Sequence, residues 1–547
     1  MEFNYRYAGK SSVATTASAS QMSFAPDTLR DPTYFRGKLR SQVGFREAIS
    51  ALHDVVVSDH RFTPRDLSEY TAWLRDQEDI WVGERLSESE ALKGQIAKLR
   101  AELSDMRAQS SRIMGPFYKA RSAYWKYLYH KNRALWIILD PVITVHPDQL
   151  FFECFSRDES SYGKLSCSYN VFQDVGEFAC GTTNIDYSDT LYNEFQKIRN
   201  YKETELEVDP SGFDVHTTHE DRYREQKIEL PDSWVRGFLQ VSSAMTLDAT
   251  RITLHPMDVH NFCFVLRRLK EKKGPRSMRY CLRPGHPVQV RFEPWNLTVD
   301  CPRSIYHGTE EKEIRVWGRR RLLILERLIP LARSFTVQLL GSGMPSFYIA
   351  DLGEMNFTLG LSGWTVNDWS RAGQFDLLAP RKAVDAETAT RIFEALKESW
   401  FASADDLSNR LGLERDVILG ALGTYTQAGR VIYDIQQDVY RARELSREPL
   451  PMEQLRFAND REASASRLAA SGAVKARIHQ SNASGTTLHG TVTIKNRTYH
   501  PELRIDADER LVSGTCDCNF FLQNKLRQGP CECMLATRMI WRQHHGD

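Results

Sequence analysis

Residues 516–533 read CDCNFFLQNKLRQGPCEC, two Cys-x-Cys pairs that hold four of the chain's ten cysteines. A disulfide, a redox centre and a metal site all use clustered cysteine. A bridge inside Cys-x-Cys is strained, redox pairs more often read Cys-x-x-Cys, and the familiar iron–sulfur spacings are absent. Tetrahedral zinc needs four soft or borderline ligands, which Cys516, Cys518, Cys531 and Cys533 can supply as two bidentate elements. Side chains two apart on an extended segment point the same way, so Cys516 and Cys518 can grip one ion at a strand end. Gly529-Pro530 predicts a turn, and Cys531 and Cys533 fall at the start of an apolar helix, MLATRMIW, whose N-terminal dipole favours thiolates. His544 and His545 would lie about 16 Å further along that helix and are poor substitutes.

Cys516-x-Cys518, the aromatic pair Phe520-Phe521, and Gly529-Pro530-Cys531-x-Cys533 before an apolar helix together resemble the SWIM-type zinc finger. That family usually reads Cys-x-Cys, then Cys-x-His, so Cys533 stands where histidine is usual; zinc accepts either. The resemblance implies one structural Zn2+ ion and binding of DNA or a protein partner, without implying catalysis. The stretches TYFRG, FREAISALHDVVVSD, CGTTNID, EIRVWGRRRLLILERLIP and FTLGLSGWTVNDW are similar to those of large bacterial SWIM proteins. Some of these are encoded beside MoxR-like AAA ATPases and von Willebrand A-domain proteins. The resemblance thus implies an accessory role in an ATPase-driven system.

Working outward, TVTIKNRTYHPELRID alternates as strands do, and residues 471–547 form the finger module, with ten Lys or Arg against seven Asp or Glu. Residues 446–470 read as a charged connector. In 381–445, DAETATRIFEALKESW, SADDLSNRL with Ser403 as cap, and ERDVILGALGTYTQA predict three helices. GRVIYDIQQDVYRAR then predicts a β-ribbon, the layout of a winged helix-turn-helix. This segment holds nine Lys or Arg against eleven acids, and phosphate contact dominates affinity for nucleic acid, so docking to protein is as well supported as docking to DNA. Its wing offers Arg430, Arg441 and Arg443 to a phosphate backbone. Arg315, Arg319, Arg320 and Arg321, with Trp317 among them, form the other basic cluster, although RRRLLILERL also reads as a helix whose arginines face water or pair with acids.

Residues 142–380 carry short apolar runs between turn residues, which predicts a β-rich region of two subdomains breaking near 254. DYSDTLYNEFQKIRN interrupts it as an amphipathic helix. Residues 24–141 read as helical, with apolar positions Leu92, Ile96, Leu99, Leu103 and Met106 marking a short candidate coiled coil over 85–112. Residues 1–23 read as a flexible lead-in. The fold class is therefore α+β and multidomain.

The chain is 547 residues long with net charge +1, which gives no global case for nucleic acid or an anionic membrane. No signal core or spanning segment is evident, and a cytoplasmic location without membrane partners is expected. In such a compartment Cys154, Cys167, Cys180, Cys263, Cys281 and Cys301 read as small buried hydrophobes. His255, Asp258 and His260 in HPMDVH, and His216 and His219 in HTTHED, lack a confirming ligand frame. No nucleotide loop or nucleophile elbow is found. A non-enzymatic recognition or scaffold role is expected, the alternative being a nuclease or processing enzyme with its site in 142–375.

Overall fold

The computed structural model describes residues 12–15, 19–24, 33–58, 141–184, 192, 195–196, 198–201, 203–208, 232–271, 276–363, 369, 375–379, 382–445, 460–482, 485–495, 497–506 and 511–545. The candidate coiled coil of 85–112, His216, His219 and most of DYSDTLYNEFQKIRN lie outside them. Among the described residues no helix is long and apolar enough to cross a membrane.

An eight-stranded antiparallel sheet organises the molecule. Its order is Thr250–Leu254, Ser334–Leu339, Ser346–Asp351, Met355–Leu361, Ser161–Ser168, Gln149–Phe155, Val142–Val145 and Gly181–Asn184. Strand Met355–Leu361 pairs along its whole length with Ser161–Ser168, and Thr250–Leu254 pairs with Ser334–Leu339. Strands from both sides of residue 254 thus share one sheet, which corrects the expected subdomain break. The turn-rich texture around 254 marks strand ends, not a domain boundary.

Several strands of this sheet are buried on both faces, and period-two alternation sends successive residues into different cores. Tyr348 and Ala350 join one core with helix α1 (Gln42–Val57), whereas Phe347 and Ile349 face another with helix α2 (Asp232–Met245). Helix α3 (Pro256–Arg268) adds to the first core. His255 caps α3 by accepting from the Met257 amide, and buried Asp258 accepts from Ser304 Oγ at 2.5 Å, so HPMDVH is a helix start. A four-stranded antiparallel sheet, ordered Leu297–Ile305, Pro287–Phe292, Ser277–Leu282 and Lys312–Trp317, closes the same core. Residues Arg319–Leu328 form a 3-10 helix after the last of these strands. Cys154, Cys167, Cys263 and Cys301 are buried as expected, while Cys180 and Cys281 are half-buried.

The N-terminal reading needs correction. Strands Ser12–Thr15 and Ala19–Phe24 pair within the expected flexible segment, and Ala19–Phe24 continues in parallel onto Glu203–Val208. Strand Phe35–Leu39 joins the same sheet inside the region read as helical. Backbone pairing with a strand far along the chain orders segments whose own side chains carry little signal.

Helices α4 (Ala386–Ser399), α5 (Ala404–Leu411) and α6 (Arg415–Gln427) lie where the periodicity puts them. Ser403 and Asp406 form a reciprocal capping box at the start of α5. Gly429 takes a left-handed φ of 71°, which ends the helical stretch and lets the chain enter strands Val431–Asp434 and Val439–Ala442. Phe401–Ala402 completes a three-stranded sheet, and Ile392, Leu407, Ile418 and Leu422 close a separate small core.

Helix α7 (Asp460–Ala470) lies within the stretch read as a connector and packs on the C-terminal module. That module is an antiparallel sheet ordered Val474–Asn482, Gly485–Ile494, Glu502–Ile505 and Leu511–Thr515, with Arg497–Tyr499 beside the second strand. The short helix α8 (Asn519–Asn524) and the final helix α9 (Glu532–His545) follow. Leu488, Val492, Leu503 and Ile505 point inward and share a core with Met534 and Ala536 of α9.

Candidate metal centre

Each half of the centre grows from local chain geometry. Cys516 follows directly on strand Leu511–Thr515, and Cys518 caps α8, its sulfur accepting the Phe521 amide at 3.5 Å. Gly529, at a φ of 82°, turns the chain back before Pro530. Cys531 opens α9, its carbonyl taking the Leu535 amide at 3.1 Å, and Cys533 sits in the first turn. Helix α8 had no signal of its own in the sequence, being only six residues long.

The four Sγ atoms all lie within 4.8 Å of one another, and all four residues are buried. A tetrahedral ion with metal–sulfur bonds of about 2.3 Å sets its sulfurs about 3.8 Å apart, so this cluster can hold one metal ion. All ten cysteines are free thiols, Cys516, Cys518, Cys531 and Cys533 included. Hydrogen bonding with Cys516 holds the Cys518 thiol well below its usual range and pushes Cys531 and Cys533 well above theirs. Shared protons of this kind are what a cation replaces when it gathers thiolates.

A second layer orients the sulfurs. His500 donates its amide to Asp517 Oδ1 at 2.7 Å, which pins the residue between the first two cysteines. Thr537 Oγ1 donates to the Cys533 carbonyl at 2.9 Å. Arg461 of α7 touches both halves: its guanidinium lies 4.3 Å over the Phe520 ring and donates to the Pro530 carbonyl at 3.0 Å. Burial lowers the Arg461 pKa to about 10, against the opposing pull of Asp376, Cys531 and Glu532. Sequence spacing could not reveal Arg461, because it lies 69 residues before Pro530.

The arginines expected to contact nucleic acid fare differently. Arg441 is fully buried, with Nε on Asp434 at 2.8 Å and its two terminal nitrogens on Asp148 at 2.9 and 2.8 Å. Arg443 is equally buried against Glu153 at 2.9 Å. Both belong to the ribbon Val431–Ala442 and its exit, which is therefore packed on the eight-stranded sheet. Arg319 is buried on Glu271 and over Trp295, and Arg321 donates to the Ser160 carbonyl at 2.8 Å. Burial corrects the expectation for these four, since none reaches an external phosphate. The sequence predicts their pairing only as an option, because the partners lie up to 293 residues away. Arg315 is half-buried between Glu293 at 2.6 Å and Trp317, and Arg430 between Glu444 at 3.4 Å and Phe393. Arg320 is half-buried.

No protein-family model and no curated protein matches the chain. Among solved structures, that of Proliferating Cellular Nuclear Antigen from Entamoeba histolytica aligns with 41% of this chain and 89% of its own, at 10% identity and a TM-score of 0.29. A likeness at that level carries no argument about fold or function.

Proposed function

We propose that the chain is a zinc-stapled, non-enzymatic recognition or scaffold protein whose C-terminal module is a SWIM-type finger. One observation carries the reading: four buried thiols within 4.8 Å, drawn from a strand end and a helix start. Sulfur donors suit zinc, and four protein ligands leave no open position for water, so the ion folds the module and does no chemistry. Cys533 takes the place of the histidine usual in that finger. The three helices and three-stranded sheet of 386–442 are read as a winged helix. Its ribbon is spent on packing against the large sheet, which favours a docking role within the protein over DNA reading by the wing. By resemblance, a MoxR-like ATPase or von Willebrand A-domain protein is the protein partner to try first.

Native mass spectrometry of the purified chain tests the metal. One zinc per chain is expected, lost in Cys516→Ser with Cys531→Ser. A zinc-free chain, or unchanged zinc in that double variant, sinks the assignment.

A further inference from the structure

We propose that the open face of the C-terminal sheet binds the phosphate backbone of nucleic acid. The inference rests on reading this module as a recognition element. Its inner face is covered by α9, and the register places Lys475, Arg477, His489 and Arg504 together on the other face, all exposed. Arg477 pairs with His489, Lys475 with Thr491 and Arg504 with Thr487, so the cations span three adjacent strands, about 10 Å across the sheet and about 13 Å along it. A bulge between Ile478 and Gln480 brings one further imidazole to this face, with His479 stacked on His489 at 4.4 Å between centroids.

Charge decides the occupant. Among the described residues of these strands Glu502 is the one acid, and its carboxylate lies 3.7 Å from His489 Nε2. Lys475, Arg477 and Arg504 have no carboxylate partner among the described residues. The outer face of the four-stranded sheet is built the opposite way. There Arg279 pairs with Glu293 and Glu313 and Arg283 with Glu311, so each cation is neutralised within the protein. The remaining outward positions of the C-terminal sheet are largely threonine and serine, whose hydroxyls also donate to phosphate oxygens beside the stronger guanidinium and ammonium donors. A polar, cationic, hydroxyl-rich face without an apolar centre suits a phosphate backbone better than a protein, whose interfaces bury an apolar core.

The test is fluorescence anisotropy of the full zinc-loaded chain with a labelled DNA duplex, a DNA single strand and an RNA strand at low salt, followed by salt titration. The combined Lys475→Ala, Arg477→Ala, Arg504→Ala variant is compared with the unmodified chain and with Arg283→Ala. At least about tenfold weaker binding is expected in the triple variant, with a salt slope shallower by about 2–3 and no change in Arg283→Ala. Helical content and zinc stoichiometry, read on the same samples, should be unaltered by these exposed substitutions. Failure of the unmodified chain to bind any of the three strands at low salt, or equal binding by the triple variant, overturns the inference, as does association with protein alone. A chain that holds zinc yet binds no nucleic acid overturns this inference and spares the metal reading. A zinc-free chain whose binding still falls in the triple variant does the reverse.

Discussion

Arg443 and Glu153 form an ion pair at 2.9 Å in which neither side chain is exposed to solvent, across 290 residues of sequence. Tyr162 donates to the same carboxylate at 2.7 Å, and the Arg443 guanidinium lies 5.0 Å over Phe238. Ions this dry persist only because each neutralises the other, and the pair fastens the 431–443 ribbon to the large sheet.

Breaking that pair from one side should therefore cost more than removing it. Glu153→Gln or Arg443→Met alone is expected to destabilise the protein by about 3–5 kcal/mol, since either leaves an uncompensated buried charge. The two together should cost markedly less than the sum. Denaturant midpoints of the four proteins measure this, and near-neutral single variants would contradict it.

His146 provides a pH test of the same junction. Its Nε2 lies 2.7 Å from the Ala442 carbonyl and so carries the proton, while Nδ1 faces Arg441 at 3.4 Å. Burial first, and the Arg441 charge second, lower its pKa from 6.5 to about 3. Between those values the unfolded chain binds a proton that the folded chain refuses. Stability from this residue is therefore full above pH 6.5 and drains as pH falls toward 3. His146→Gln should flatten that part of the profile of urea midpoint against pH, and an unchanged slope would refute the assignment.

At the candidate metal centre, ligand chemistry separates two substitutions at one position. Cys533→His should keep the ion, because imidazole is an accepted zinc ligand, whereas Cys533→Ala should lose it and melt the C-terminal module. Zinc content and the thermal transition measured with and without a chelator check both. Equal metal retention by the two variants would show that Cys533 is not a ligand.

Arg461→Ala removes the group that joins the two halves of the centre. Substitutions beside metal ligands typically weaken metal binding by about 10–100-fold. Competition against a chromophoric chelator should show a loss in that range while the four cysteines stay intact. Arg461→Lys should rescue little, because an ammonium lacks the planar fork that stacks on Phe520 and reaches Pro530.

Gly490 marks where sheet and helix touch. A Cβ there would meet Thr537 Oγ1 at 2.2 Å and Pro501 Cγ at 2.8 Å. Gly490→Ala should cost roughly 1–3 kcal/mol through overpacking, and Thr537→Ala in the same chain should recover part of it. Additive losses in the double variant would argue against this contact.

Much of the candidate metal centre was legible because its signals are local. Two Cys-x-Cys pairs and Gly529-Pro530 already state which sulfurs can meet, and Ser403 and Gly429 mark helix limits within a few residues of the positions they cap. The large sheet was legible only as strand-like texture, since nothing in Ser161–Ser168 says that its partner is Met355–Leu361.

What the sequence determined by itself was therefore the set of candidate ligands, the α+β character and the helices of 386–427, all of which depend on spacing along one short segment. Tertiary structure alone decided the fate of each arginine. Arg441 and Arg443 look like wing residues in the sequence and are buried in the fold, whereas Lys475, Arg477 and Arg504 draw no notice until the sheet register gathers them. The reason is physical: a charge is solvated, paired or offered to a partner according to what other segments bring within a few ångströms, and chain order does not encode that distance.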